Sequence, residues 1–396
     1  MAQKKERASF MDGGFGRYFL PAILLQSVLI GGGYATGREI VQYGAGFGAL
    51  GWITGIMIFI GFSVMAILTF EMARKFQVFD YRSLLKQLIG PFWFLFDIVY
   101  LLLAVLIISI VASATGEILN QTMGIPNWIG IVIMMVLVGW LNFYGDRLIE
   151  KFKTIGTISL MVGYVFFSIL VISSTWENAV EVLRTGDTSF IPGEISIWMV
   201  LWTGVIYVGY NLAVYPAALF TIKRQKSVKE TIVSGLIAGF LMTSPWFLTY
   251  FALLGFYPDE AVLGSSVPWL VMLDGYGLWV MILFGFIVGW TLIETATGMI
   301  HAFITRVDQQ FEEFGKAPLS GKKRAIVSVG TLVSAFLLAQ VGIIDLIAYG
   351  YTFMAYAMIA IFGLPLLTIG FYRIIKPQWK KSYWDKHKKS NVDAQG

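Results

Sequence analysis

Apolar residues run along this chain in long blocks separated by short polar stretches. A helix that crosses a bilayer needs about 20 mostly apolar residues. Ten segments meet that requirement, near 17–46, 49–73, 91–119, 127–143, 147–174, 195–221, 229–256, 276–305, 324–341 and 344–373. The pattern predicts an all-α polytopic membrane protein with ten transmembrane helices. Two connecting stretches carry signals of their own. Tyr81–Ile89 alternates apolar and basic positions and reads as a short helix lying on the membrane face. Ala261–Leu273 holds Pro268, Trp269 and Leu270 in an otherwise external loop, and is expected to fold over the outer mouth. Gly46–Gly51 matches GxGxxG but has no strand before it, so it reads as a tight external turn between spans 1 and 2 and not as a nucleotide site.

Composition agrees with the pattern. Of 396 residues, 57% are hydrophobic and 13% are charged, about half the charge of an ordinary soluble chain. No polar stretch is long enough to fold alone. The absence of cysteine excludes disulfides, thiol catalysis and thiolate metal sites. The basic N-terminal stretch lacks a small-residue cleavage site after a short apolar core, so no removable signal peptide is expected. The net charge of +5 lies in short loops beside apolar segments, which argues for orientation signals and against nucleic acid as a partner. Lys/Arg clusters precede span 1 and follow spans 2, 4, 6, 8 and 10. The loops after spans 5 and 7 are acidic, with Arg184 their one basic residue. The positive-inside rule then places both termini in the cytoplasm. The organisation expected is a cytoplasmic tail over 1–16, a five-helix unit over 17–175, an external loop over 176–194, a second five-helix unit over 195–374 and a basic cytoplasmic tail over 375–396.

Gly31, Gly32 and Gly33 stand consecutively in the middle of span 1. Each glycine costs a helix roughly 1 kcal/mol against alanine, so the run is expected to open the helix at mid-depth. Opened backbone survives there only beside protein or a watered cavity. Five spans per half make the two halves run in opposite directions, so span 6 should be interrupted at corresponding depth. It offers Gly209, Asn211 and Pro216, and proline cannot donate to the carbonyl four residues back. Such breaks mark the substrate sites of many secondary transporters. Small residues also serve plain helix packing, the reading given to Gly51/Gly55, Gly235/Gly239 and Gly285/Gly289.

A charge inside the membrane costs at least about 2.5 kcal/mol and asks for a reason. Glu294 lies 12 residues before Arg306, roughly 18 Å deep at 1.5 Å per residue. Thr291, Glu294 and Thr295 share one helix face, an oxygen set that suits Na⁺; the carboxyl could instead carry a proton. Arg38 and Glu39, just past the glycines, either pair with nearby charges, line the outer vestibule or snorkel to the interface. Glu117 is similar. Glu71 and Asp97 are expected to pair with Arg74, Lys75 or their neighbours. Lys151 and Lys153 read as positive-inside residues. Tyr207 and Tyr210, beside the second break, could wall a substrate or offer a cation–π face. His301 and His387 are the only histidines, and neither HExxH nor GxSxG occurs, so no enzyme chemistry and no cofactor are expected.

Ile30-Gly31-Gly32-Gly33-Tyr34 resembles the GSG-type break of the amino acid–polyamine–organocation superfamily, and Glu71-Met72-Ala73-Arg74-Lys75-Phe76 resembles its usual end to span 2. Gly31–Ile40 is similar to the GAGFASGQEI-like signature of a small bacterial family of proposed amino-acid permeases, with Gly32 for Ala and Arg38 for Gln. Leu292–Gly298 also looks like that family's span 8. The resemblance implies a LeuT fold, a 5+5 inverted repeat in the bacterial cytoplasmic membrane. It implies a substrate site between spans 1 and 6 that includes Tyr34, with the N–H groups of Gly31–Gly33 facing a carboxylate, and carbonyls around Tyr207–Asn211 facing an amino group. It places the coupling ion between the Ser27 and Ile30 carbonyls and the Thr291, Glu294, Thr295 face. In some Na⁺-independent relatives a span 5 lysine takes that place, and Lys153 is the candidate, close to the cytoplasm.

The function expected is a secondary transporter of a small amino acid or related amine, coupled to Na⁺ in preference to H⁺. The alternatives are a carrier of quaternary ammonium or other cationic solutes using Tyr207, Tyr210 and Glu39, and, in a different class, a substrate-gated channel or sensor.

Overall fold

The computed structural model describes residues 13–144, 146–313 and 315–379, with side chains outside 32, 143–157 and 313. The chain begins with α1 (Gly14–Tyr18), α2 (Leu20–Leu29), α3 (Gly32–Ala35) and α4 (Arg38–Gln42), the pieces of one interrupted span. A 3₁₀ turn at Ala45–Leu50 leads into α5 (Gly51–Phe76), and α6 (Tyr81–Ile89) precedes α7 (Phe94–Met123), α8 (Asn127–Tyr144) and α9 (Asp146–Thr185). The next span is α10 (Ile197–Asn211), a 3₁₀ stretch at Leu212–Ala218 and α11 (Leu219–Ile222). Then come α12 (Val228–Leu254), α13 (Glu260–Leu263), α14 (Pro268–Leu273), α15 (Leu278–Glu313), α16 (Gly321–Ala339), α17 (Ile343–Asp345), α18 (Thr352–Met358) and α19 (Phe371–Ile375). The last three form one span with π-helical turns at Leu346–Tyr351, Ile359–Gly363 and Leu366–Gly370.

Among the described residues, seven helical stretches are long and apolar enough to cross a membrane. The other helices fall short for visible reasons. The first span is cut into pieces at Ile30–Gly31 and Gly37, and α16 opens with Lys322, Lys323 and Arg324.

Loops predicted to share a face do meet. Arg17 pairs with Glu230 at 2.7 Å, Arg74 reaches the carbonyl of Lys226 at 3.5 Å, Lys75 that of Ile374 at 2.5 Å, and Arg82 that of Gln309 at 3.2 Å. At the opposite face Ala49 donates to Asp187 at 2.9 Å and Phe190 to Tyr257 at 2.9 Å. We call these the basic and acidic faces. α6 lies at the basic face as its pattern predicts, with Leu84, Leu85 and Leu88 buried and Asp80 capping its first turn. Glu71 pairs with Arg74 as expected. Asp97 does not pair with Arg74 or Lys75; its partners are Arg306 at 2.5 Å and Arg82 at 3.9 Å, because α7 packs against α15. The stretch after span 5 is not a plain loop, since α9 continues to Thr185 with Ala179 and Val182 buried. Lys151 and Lys153 fall on α9 outside the described side chains.

The small residues of α5 and α12 hold those two helices together. A Cβ on Gly239 would overlap Ser63, and one on Gly235 would overlap Ile67. Gly51 and Gly55 likewise face Tyr250, Trp246 and Phe247. Gly285 and Gly289 have open space around them, so their packing role is not seen. Gly239→Val should therefore destabilise the purified protein by about 1–3 kcal/mol through overpacking, and Gly285→Val by no more than about 0.5 kcal/mol. Denaturant unfolding in detergent reads both; equal effects would contradict the assigned packing.

Candidate functional site

The glycine run opens the first span as expected. Ile30 (ψ 83°) and Gly31 (φ −102°, ψ −171°) leave the helical region, and helix resumes at Gly32 for four residues. Gly37 then adopts φ +84° and starts α4. The sixth span loosens more gently. α10 ends at Asn211 and seven residues continue as 3₁₀ helix around Pro216. The backbone there stays right-handed, so the interruption is a change of helix type, not an opened loop.

A cavity of about 70 Å³ lies between the two breaks, walled by Gly31, Gly33, Tyr34 and Glu39 from the first span and Tyr210 and Asn211 from the sixth. Thr295 of α15, Tyr351 of the last span, and Tyr100, Leu103 and Ile107 of α7 complete it. A water needs on the order of 10–15 Å³, so the space suits about five water-sized groups, the scale of a small amine or amino acid.

Glu39 is the residue that the sequence misplaces. It sits inside the cavity, not in an outer vestibule. Its Oε2 accepts a hydrogen bond from Tyr210 Oη at 2.6 Å. A Cβ on Gly33 would lie 2.6 Å from Oε1 and 3.3 Å from Tyr351 Oη, so the missing side chain is what admits the carboxylate. Tyr210 stacks on Tyr351 at 4.2 Å and 10°. Tyr207 meets the edges of Tyr210 and Tyr43 at 5.5 and 5.7 Å, and Tyr43 donates to the Ile347 carbonyl at 2.9 Å. Arg38, the adjacent residue, points away: its Nη1 donates to the carbonyls of Leu263 at 2.6 Å and Ser265 at 3.3 Å.

The remaining candidates divide. Asn211 lines the cavity and donates to the Tyr207 carbonyl at 2.8 Å. Tyr207 stands behind Tyr210, outside the lining. Gly209 does not reach the site; it faces Ile359 and Ala355, where a Cβ would come within 2.8–3.0 Å. Of the proposed ion ligands, Thr295 meets the first break, 3.5 Å from the Cβ position of Gly31. The Ser27 and Thr291 hydroxyls donate to the carbonyls of Leu24 and Ile287 in their own helices. Glu294 is half-buried and outside the cavity lining, and Glu117 is held by Gln121 and Asn127 at 2.9 Å each.

A helix end carries about half a charge. The carboxyl end of α2 reaches the cavity beside the Glu39 carboxyl group, opposite the amino end of α3, which is only four residues long. α10 passes directly into 3₁₀ helix and has no open carboxyl end there.

The two sides of the cavity differ. Toward the acidic face α13 and α14 cover it, as the Pro268-Trp269-Leu270 sequence suggests. Trp269 N–H donates to the Thr36 carbonyl at 3.3 Å, and its indole donates to Tyr164 Oη at 2.9 Å. Tyr164 in turn donates to the Tyr34 carbonyl at 3.2 Å. The indole lies against Gly37, where a Cβ would come within 2.9 Å. Toward the basic face the lining is Val28, Tyr100 and Met299, and Val28 is 40% exposed, against 5% for Glu39 and 1% for Tyr34. Arg306 covers the Tyr100 ring at 3.6 Å beside its Asp97 partner.

No family model matches the chain. Over 347 residues it is 21% identical to the uncharacterized membrane protein YkvI of Bacillus subtilis (strain 168), covering 86% of this chain and 93% of that protein. The fold is similar to a mutant form of an Eremococcus coleocola manganese transporter, with TM-score 0.55 and 16% identity over 93% of this chain and 81% of that one. It is similar to a Na⁺-coupled sialic acid symporter, with TM-score 0.53 and 13% identity over 91% and 87%. It is also similar to MhsT in complex with L-phenylalanine, with TM-score 0.58 and 14% identity over 90% and 87%. At such identities the likeness is one of fold, and this membrane protein shares the LeuT fold with them.

Because the chain lacks cysteine, one introduced thiol reports access cleanly. Val28→Cys should react with a membrane-impermeant reagent from the basic face. Ala35→Cys, fully buried under the outer cover, should stay protected from the acidic face until Arg38→Ala loosens α13. Fast labelling of Ala35→Cys with Arg38 intact would contradict the closure.

Proposed function

We propose that this protein is a secondary transporter of a small solute bearing one positively charged nitrogen, an amino acid or a simple amine, working by alternating access and coupled to a cation gradient. The observation that carries the reading is Glu39, a buried carboxyl group ringed by tyrosines at the first break. Its surroundings offer a hydroxyl donor and aromatic faces. Both the carboxylate and the rings suit an ammonium group, the first by charge, the second by cation–π attraction of about 0.5–2 kcal/mol.

Ten spans in two inverted halves of five, with the first and sixth interrupted, account for the pieces seen. In this reading spans 1, 2, 6 and 7 rock against 3, 4, 8 and 9. A cavity covered at the acidic face belongs to one of the two states such a cycle requires. Thr295 beside Gly31 keeps the Ser27, Ile30, Thr291, Glu294 and Thr295 set as a candidate ion site. Both faces follow the positive-inside orientation, with the basic face cytoplasmic. The stacked Tyr210–Tyr351 pair favours a second reading, a quaternary ammonium solute, which the small cavity opposes.

Thermal unfolding of the purified protein should separate these readings. The panel is glycine, alanine, methylammonium, choline and betaine, each in NaCl and in KCl. A ligand at 100 times its Kd adds about 2.7 kcal/mol to the folded state, so a binder raises the midpoint. We expect glycine, alanine or methylammonium to do so, and Glu39→Gln to remove the shift while the free protein still unfolds cooperatively. A shift preserved in Glu39→Gln, or none with any compound, overturns the proposal.

A further inference from the structure

A carboxylate buried in a membrane needs one positive charge beside it, because an isolated ion there costs several kcal/mol. Glu39 is 5% exposed, and the chain gives it no such charge among the described residues. Arg38 is committed to the Leu263 and Ser265 carbonyls. The titratable groups that face Glu39 are tyrosines. They are Tyr34 and Tyr43 of the first span, Tyr164 of α9, Tyr207 and Tyr210 of α10, and Tyr351 of the last. α12, which packs against α4, presents Trp246 and Tyr250, and the Tyr250 hydroxyl donates to the Gly48 carbonyl at 2.8 Å. α7 brings Ile110 toward Gly33, and α15 brings Thr295.

One carboxyl group with room for one positive charge can hold a proton or an ammonium group, not both. We infer that Glu39 exchanges one for the other, so that the protein is a proton/cation antiporter. This deepens the transport reading above and rests on it. In the solute-free protein the carboxyl carries its proton, with Tyr210 donating to its second oxygen. When the solute enters, the proton leaves Glu39 for water in the cavity and the ammonium takes its place. One charge enters as one leaves, so the site stays neutral. Neutrality in both loaded forms is also what permits the rocking motion. A bare carboxylate would have to be carried across unpaired, and that form is excluded from the cycle by its cost. Exchange is then obligatory without any second ion site.

Competition for one group has a measurable signature. Binding and proton release are linked reciprocally, so apparent affinity should rise tenfold per pH unit wherever Glu39 is protonated in the free protein. Calorimetry of the detergent-purified full chain with glycine, methylammonium and tetramethylammonium chloride, in buffers of different ionisation enthalpy, counts the protons. All three keep their positive charge near neutral pH, so a released proton comes from the protein. We expect about one proton per bound solute, with Glu39→Asp retaining the release. Binding that releases no proton, or depends on Na⁺ at constant pH, overturns the exchange and leaves the transport reading standing. Absence of binding by all three overturns the transport reading itself. Release that persists in a Glu39→Gln variant that still binds would move the proton to another group and overturn the assignment.

Discussion

The neutrality of the Glu39 pocket is the constraint on which the rest of the structure turns. A carboxyl group can reach the centre of this bundle only because Gly33 has no side chain in its way. It can stay there only because Tyr210 satisfies one oxygen and the tyrosine rings keep the pocket polarisable. The broken first span follows from the same requirement. Adjacent positions on a helix project about 100° apart, so the turn into α4 that aims Glu39 at the cavity also aims Arg38 at the outer cover. Gly37 in the left-handed region supplies that turn, and L side chains avoid it.

Arg38 and Glu39 thereby connect two events through a single turn of backbone. One side chain holds α13 closed over the acidic face; its neighbour meets whatever occupies the cavity. In the transport reading proposed above, occupancy of the cavity and closure at the acidic face would share one equilibrium through this turn. Each ligand can bias it only by its differential affinity for the two arrangements. The π-helical turn at Leu346–Tyr351 has a comparable place on the other wall. Its Ile347 carbonyl accepts from Tyr43 and its Tyr351 lines the cavity. Irregular helix at both walls of the site is what movement at the site needs.

The long apolar helices, seven of them of spanning length among the described residues, their common faces and the first break are legible in the sequence because each depends on local composition: twenty apolar residues, a run of basic ones, three glycines. The outer cover is legible for the same reason, since Pro268 and Trp269 in an external loop need burial. Glu39 is not. Its place in the chain gives its depth in the span but not its facing, which depends on the left-handed Gly37 where α4 begins; a glycine immediately before an Arg-Glu pair is the available signal. Gly209 fails in the opposite way. It looks like a helix breaker beside the site, yet its absent side chain serves contact with Ile359, and a single glycine in a span cannot distinguish these uses. Asp97 has arginine and lysine candidates near in sequence, whereas its arginine comes from α15, a tertiary pairing that no local pattern encodes.

The glycine run also carries two meanings that sequence alone merges. Exposed N–H groups at a helix break suggest an anion site, and for a long helix the dipole would supply the charge. Here α3 ends after four residues, so little dipole accumulates, while the longer α2 points its carboxyl end at the same space. The added carboxyl group decides the sign. A solute that is only anionic finds no compensating charge at the break. The selectivity expected of this site therefore follows from the length of one helix and the direction of one side chain, and not from the glycines that first draw attention to it.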